Sequence, residues 1–152
     1  MASPTDRIVK SVDLRADINR VWRALTDHEE FGTWFQVKLD GPFIAGTPST
    51  GHISYPGFEH LRWEAFVKAM EAPHYFAFTW HPYAVEPNTD YSQEPPTLVE
   101  FRLEALETGT RLTVSESGFD ALPAHRLPLA YRMNEGGWEE QMGNIKAYLD
   151  RK

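Results

Sequence analysis

Two aromatic-marked helical segments, one toward each end of the chain, constrain the fold more than any other feature. Asp17–Phe35 reads DINRVWRALTDHEEFGTWF, and Asn134–Leu149 reads NEGGWEEQMGNIKAYL. In the first, Ile18, Val21, Trp22 and Leu25 recur at i, i+3, i+4 and i+7, the spacing of one apolar helix face. In the second, Trp138, Met142, Ile145 and Leu149 mark a face in the same way. Between the two segments the period changes. Apolar residues alternate with polar ones, and turn residues cut the alternation into short runs. A short helical pair, then a sheet, then one long helix can bury their apolar faces together if the sheet wraps around the last helix. Such a shape tends to enclose a cavity.

The chain between these helices can be divided further. Arg7–Leu14 alternates as a strand, with Ile8, Lys10, Val12 and Leu14 in one phase. Asp17 is placed to cap the first helix, and Asp27 with Glu30 fits a capping box that opens a second short helix to about Trp34. Short strands are expected around Phe43-Ile44 and His52–Tyr55, between Gly and Pro signals. Leu61–Met70 puts Leu61, Trp63, Ala65 and Val67 on one face, and Tyr75–His81 does the same with Phe76, Phe78 and Trp80. Pro82–Pro96 is a long irregular stretch with four prolines, the profile of a functional or mobile loop at a cavity entrance. Thr97–Leu106 and Thr110–Phe119 then form a hairpin around Glu107-Thr108-Gly109. The final helix is expected over Pro128–Asp150. Gly136-Gly137 inside it costs about 2 kcal/mol of helix propensity. Close approach of a strand or a ligand would compensate.

Composition narrows the classes of function. At 152 residues, 1–152 reads as a single domain. Such a chain buries about two-thirds of its unfolded surface, so it needs no disulfide or metal to fold. It has no cysteine, which excludes disulfide staples, thiolate catalysis and cysteine zinc sites, and suits a reducing cytoplasm. With 15 Lys plus Arg against 22 Asp plus Glu, the formal net charge is −7, unsuited to nucleic acid or an anionic membrane surface. MASPTDRIVK carries no apolar run, so no signal peptide is expected, and no stretch is apolar enough to insert in a membrane.

Three motifs carry a family resemblance. Val21-Trp22-x-Ala24-Leu25-Thr26-Asp27 with Trp34-Phe35 resembles the opening of the activator-of-heat-shock-ATPase-like (AHSA-like) family. Gly109-Thr110-Arg111-Leu112-Thr113-Val114 with Glu116-Ser117-Gly118-Phe119 resembles its hairpin, and Gly137-Trp138-x-x-Gln141-x-x-Asn144 its C-terminal helix. The motifs lie in order and cover nearly the whole chain. The family belongs to the START-like, or SRPBCC, superfamily of birch-pollen-allergen type. The resemblance implies an α+β helix-grip fold, with a curved antiparallel sheet around a long C-terminal helix and a hydrophobic cavity between them. Superfamily members include lipid carriers, hormone receptors, polyketide cyclases, aromatases and a co-chaperone domain, so fold is not function.

The residues themselves support a short set of candidates. Glu116 shares strand phase with Leu112 and Val114 and should point inward. There a carboxylate costs several kcal/mol unless it is paired or protonated. It is either a polar anchor or acid/base in the cavity, or half of a structural pair with Lys10 on the first strand. Trp34, Trp63, Phe78, Trp80, Phe101 and Trp138, with Met142, are the side chains expected to wall a ligand. The aromatic share of 13%, with five Trp, serves a core and a pocket wall alike.

No catalytic set emerges. None of the six histidines forms an HExxH, so no metal site and no cofactor is expected. There is no G-x-S-x-G and no glycine-rich phosphate loop. The leading expectation is a cytoplasmic, non-enzymatic binder of a small hydrophobic molecule. A protein-interaction module acting on a chaperone is the second reading. An enzyme of the cyclase, aromatase or dehydratase kind, using Glu116, is the third.

Overall fold

A computed structural model describes residues 6–82 and 90–150. The elements run β1 (Arg7–Leu14), α1 (Ile18–Thr26), α2 (His28–Phe35), β2 (Val37–Leu39), β3 (Pro48–Ile53), β4 (Arg62–Glu71), β5 (Tyr75–Trp80), β6 (Thr97–Leu106), β7 (Gly109–Ser117), a 3-10 turn at Phe119–Ala121, and α3 (Leu127–Asp150). The strands form one antiparallel sheet in the order β1-β7-β6-β5-β4-β3-β2. The sheet curves around α3, which is the helix-grip arrangement. Because β1 and β2 are the two edges, α1 and α2 carry the chain from one edge of the sheet to the other.

Local chemistry sets the element ends. The Asp17 carboxylate accepts the Arg20 N–H at 3.0 Å and caps α1. Asp27 caps α2 through the N–H groups of Glu29 and Glu30, at 2.9 and 3.1 Å. The reciprocal half of the expected capping box does not form, because Glu30 turns to arginines instead. Gln36 ends α2 with φ of 66°. The chain then folds back so tightly that a Cβ on Gly32 would lie 2.4 Å from the Val37 carbonyl oxygen.

The strand phases hold on the inner face, with one break. A bulge between Val67 and Ala69 adds a residue to β4, so Val67 opposes Phe78 while Met70 opposes Phe76. Phe43-Ile44 is not a strand. Phe43 is buried as irregular chain and Ile44 is exposed. The strand in this region is β2, which follows α2 directly. β3 starts and ends earlier than the expected His52–Tyr55. The interior is a continuous cluster of rings. Phe31 stacks on Phe35 at 4.8 Å, Trp63 meets Phe78 edge-on at 5.5 Å, and Phe76 stacks on Phe101 at 6.0 Å.

α3 packs along β1 and α2 through Ala130, Trp138, Met142, Ile145 and Leu149, all buried. A Cβ added at Gly136 or Gly137 would find no atom within 4 Å, so no strand presses against either glycine. The Pro82–Pro96 expectation falls largely outside the described residues. Its two described ends are tied to the start of α3. Arg126 Nη2 donates to the Pro82 carbonyl at 2.9 Å and to Glu94 at 2.8 Å.

Candidate functional site

Glu116 closes the inner row of β7 after Leu112 and Val114, and it is fully buried. Four donors from three elements converge on its carboxylate. The Trp80 indole N–H, at the end of β5, donates to Oε2 at 2.7 Å. The Thr97 hydroxyl, at the start of β6, donates to the same oxygen at 2.5 Å. From α3, Asn134 Nδ2 and the Trp138 indole N–H donate to Oε1 at 2.9 and 2.8 Å. Asn134 and Trp138 stand one helical turn apart on one face, so α3 delivers both to the same oxygen. A carboxylate has about four acceptor sites, and these donors occupy them. Oriented neutral dipoles thus replace the water that burial removed.

Lys10 is not part of this arrangement. The β1–β7 register sets Ile8 opposite Glu116 and Lys10 opposite Val114. Lys10 Nζ lies instead 3.6 Å from Glu139 and 4.0 Å from Glu135, both on α3. The inward phase read from the sequence holds, and the pairing does not.

Holding the two indoles by their N–H edges shapes the surface above them. The Trp80 and Trp138 centroids lie 5.8 Å apart with their planes 31° apart. Phe35, at the end of α2, is 6.4 Å from Trp80 and 6.1 Å from Trp138. These three rings line a cleft of about 120 Å³. Asn134, Glu140 and Gln141 supply its polar rim, and Gly137 adds no side chain to it. Gln141 is oriented by its neighbours: its Nε2 donates to the Phe35 carbonyl at 3.3 Å, and its Oε1 accepts from Asn144 at 3.0 Å.

The remaining sequence candidates lie elsewhere. Trp63, Phe78, Phe101 and Met142 are buried in the core. Phe101 backs Trp138 edge-on at 5.7 Å, and Trp63 and Phe78 back Trp80 at 5.5 and 5.4 Å. Trp34 borders a separate depression of about 220 Å³ between α2 and α3, with Tyr148 and Asn144. Its indole donates to the Ala24 carbonyl at 2.8 Å, which ties α2 to α1. Reading the sequence missed Asn134, Thr97, Phe35 and Gln141. The i, i+4 spacing of Asn134 and Trp138 was the available signal for the first; nothing local marked Thr97.

A second carboxylate grips the other end of α3. Glu30 accepts from Arg20 at 2.7 Å, from Arg23 at 2.9 Å and from the Tyr148 hydroxyl at 2.7 Å. Burial alone would raise its pKa, but the bonds from Tyr148 and Arg20 outweigh burial and hold the carboxyl below its ordinary value. Among the described residues no group of three or more His, Asp or Glu is placed to hold a metal ion. No described helix is long and apolar enough to cross a membrane.

Comparison with known proteins agrees with the fold. A protein from Mesorhizobium loti, MLL2253, superposes with a TM-score of 0.76 at 24% identity, covering 96% of this chain and 98% of its own. DynU16, a protein of the dynemicin biosynthetic locus, gives a TM-score of 0.75 at 22% identity over 97% of this chain and 48% of its own. The Aha1 dimer from Colwellia psychrerythraea gives 0.69 at 17% identity, covering 94% of this chain and 95% of that one. At these identities the likeness is one of fold. No protein of curated function matches the sequence. Residues 15–150 match the activator of Hsp90 ATPase homolog 1-like protein family, and on that match over most of its length the chain belongs to this family.

Proposed function

We propose that the protein binds a small, mainly apolar molecule in the cleft lined by Phe35, Trp80 and Trp138, without acting on it chemically. The observation that carries this reading is the shared carboxylate. Glu116 fixes both indoles by their N–H edges, so what remains for a ligand is their hydrocarbon surface, already rigid before binding. In this reading Glu116 is a positioning residue, and Trp63, Phe78, Phe101 and Met142 are the packing that keeps the ring surface in place. Trp34 borders the separate depression and takes no part in this cleft. A cyclase or dehydratase role for Glu116 is less favoured. General acid/base work needs the group within hydrogen-bond reach of the substrate, and its acceptor sites are taken. The cysteine-free, acidic chain fits the cytoplasm. A biosynthetic locus as the home of the fold relative DynU16 is in keeping with a small-molecule ligand.

Tryptophan fluorescence tests this directly. Titration with fatty acids, flavonoids and aromatic polyketides should give a saturable change for at least one class, lost in Trp80→Ala. A flat response across the panel would overturn the reading. A second reading, docking on a chaperone ATPase, follows from the family description and from one surface feature. Tyr55 and Phe58, 46% and 49% exposed, pair at the tip of the β3–β4 hairpin. Pull-down with Hsp90, lost in a Tyr55→Ser/Phe58→Ser double variant, would support it.

A further inference from the structure

The cleft's size, its charge and one acceptor without a protein partner narrow the chemistry of what it holds. Its volume is about 120 Å³. An engineered apolar cavity of roughly 150 Å³ takes up benzene, so this cleft admits one ring or one chain end and leaves a larger molecule's remainder outside. The lining is also one-sided in charge. None of the described lining residues is Lys or Arg, Glu140 stands on the rim, and the Glu116 carboxylate lies beneath the two indoles. An anionic group entering here would lose its water and meet two carboxylates.

Asn134 supplies the selecting atom. The Glu116 carboxylate faces it with an acceptor, so the amide must turn its NH₂ inward, as the 2.9 Å bond records. The amide oxygen is left over. Asn134 borders the cleft, and its Oδ1 has no protein partner among the described residues. A cleft-lining amide whose NH₂ is locked from behind and whose oxygen has no protein partner discriminates by what it lacks. A ligand donor satisfies Oδ1, whereas a ligand without one leaves it unpaired and dehydrated.

We propose that the cleft selects a ring-sized apolar group bearing an uncharged hydrogen-bond donor, a phenol-like hydroxyl, with Asn134 Oδ1 as its acceptor. This rests on the cleft being the ligand site, and it goes further by naming the chemistry and the atom. Hydroxyl and ring N–H ligands share that chemistry.

Three probes of one shape test it: 4-methylphenol, 4-methylanisole and 4-methylbenzoate, titrated against the whole chain and followed by tryptophan fluorescence. The phenol should bind about three- to tenfold more tightly than its methyl ether, the worth of one net hydrogen bond. The benzoate should bind more weakly than both. In Asn134→Ala the phenol-to-ether ratio should fall to near one, whatever the variant does to either affinity alone. Equal affinities for phenol and ether in the wild type would overturn the proposal while leaving the cleft as a binding site. So would a preference that survives in Asn134→Ala, or a benzoate that binds as tightly as the phenol. If no probe binds, the cleft itself is not the ligand site, and both readings fall. The wild-type ratio decides the matter even if Asn134→Ala does not fold.

Discussion

Two carboxylates hold α3, one near each end, and they are compensated by opposite means. Glu116 grips the first half of the helix through Asn134 and Trp138, and all four of its donors are electrically neutral. Glu30 grips the last turns through Tyr148, and its other partners are two arginines. The Glu116 carboxylate is fully buried; at the second site Glu30 and Arg20 keep 19% and 18% of their side chains exposed, and Arg23 keeps 61%. Dipoles on rigid elements point in fixed directions and cannot be replaced by water once the site is dry. The exposed Arg23 guanidinium keeps most of its hydration when its partner is lost. The dipole-compensated end should therefore be stiff, costly to alter and indifferent to salt. The charge-compensated end should be cheaper to alter and tunable by salt and pH. The cleft proposed to bind a ligand lies at the stiff end, where Glu116 holds Trp80 and Trp138 in place.

The largest expected effect lies at Trp138. Trp138→Ala empties a buried position and removes one donor from Glu116, so urea unfolding should show a loss of about 3–5 kcal/mol. A loss below about 1 kcal/mol would put the side chain in solvent and remove the stiff end altogether. Glu116→Gln comes next. The amide must aim its NH₂ at two of the four donors, so stability should fall by about 3 kcal/mol, equally at low and high salt. A strong salt dependence would mean that an unseen charge compensates this site. Glu30→Gln should cost about 1 kcal/mol, and less as salt rises.

The Glu30 effect also carries a pH signature. Its native pKa is held below the unfolded value of about 4.3. Its stabilisation is thus full above that value and is lost as the pH falls through the lower native one. Glu30→Gln should flatten this part of the acid limb of stability, and an unchanged limb would contradict the pairing. The smallest effects sharpen the cleft itself. Gly136→Ala and Gly137→Ala each meet open space, so each should stabilise the helix by roughly 0.5–1 kcal/mol. Only Gly137→Ala should also weaken binding, because Gly137 borders the cleft and Gly136 does not line it.

The grip at Glu116 was half legible in the sequence. Alternation along Leu112, Val114 and Glu116 places the carboxylate inward, because strand phase is a local property. Its partners come from β5, β6 and α3, and which of their side chains meet is decided by strand register and helix rotation. Lys10 shares the right phase but stands opposite Val114, one pair away. From sequence alone Trp80 and Trp138 are apolar walls. A buried indole must also place its N–H, and here both place it on the same acid. The fold was far more legible, since helix and strand periods and three ordered motifs depend on residues near in sequence. The errors fell where that locality ends. β2 has only three residues, and its fold-back depends on the left-handed Gln36. The β4 bulge shows only once β5 is laid beside it.

The most direct test of the central claim is the set of indole N–H signals in ¹H–¹⁵N spectra, followed as 4-methylphenol is added. Trp34 and Trp63 donate to the Ala24 carbonyl and the Ser49 hydroxyl, away from the cleft, whereas Trp80 and Trp138 share Glu116 beneath it. The account predicts that the Trp80 and Trp138 signals are slow to exchange with solvent before any ligand is present. They should then shift together, with the Asn134 side-chain amide, while those of Trp34 and Trp63 stay in place. Rapid exchange of the Trp80 and Trp138 protons in the free protein, or shifts confined to Trp34 and Trp63, would contradict it.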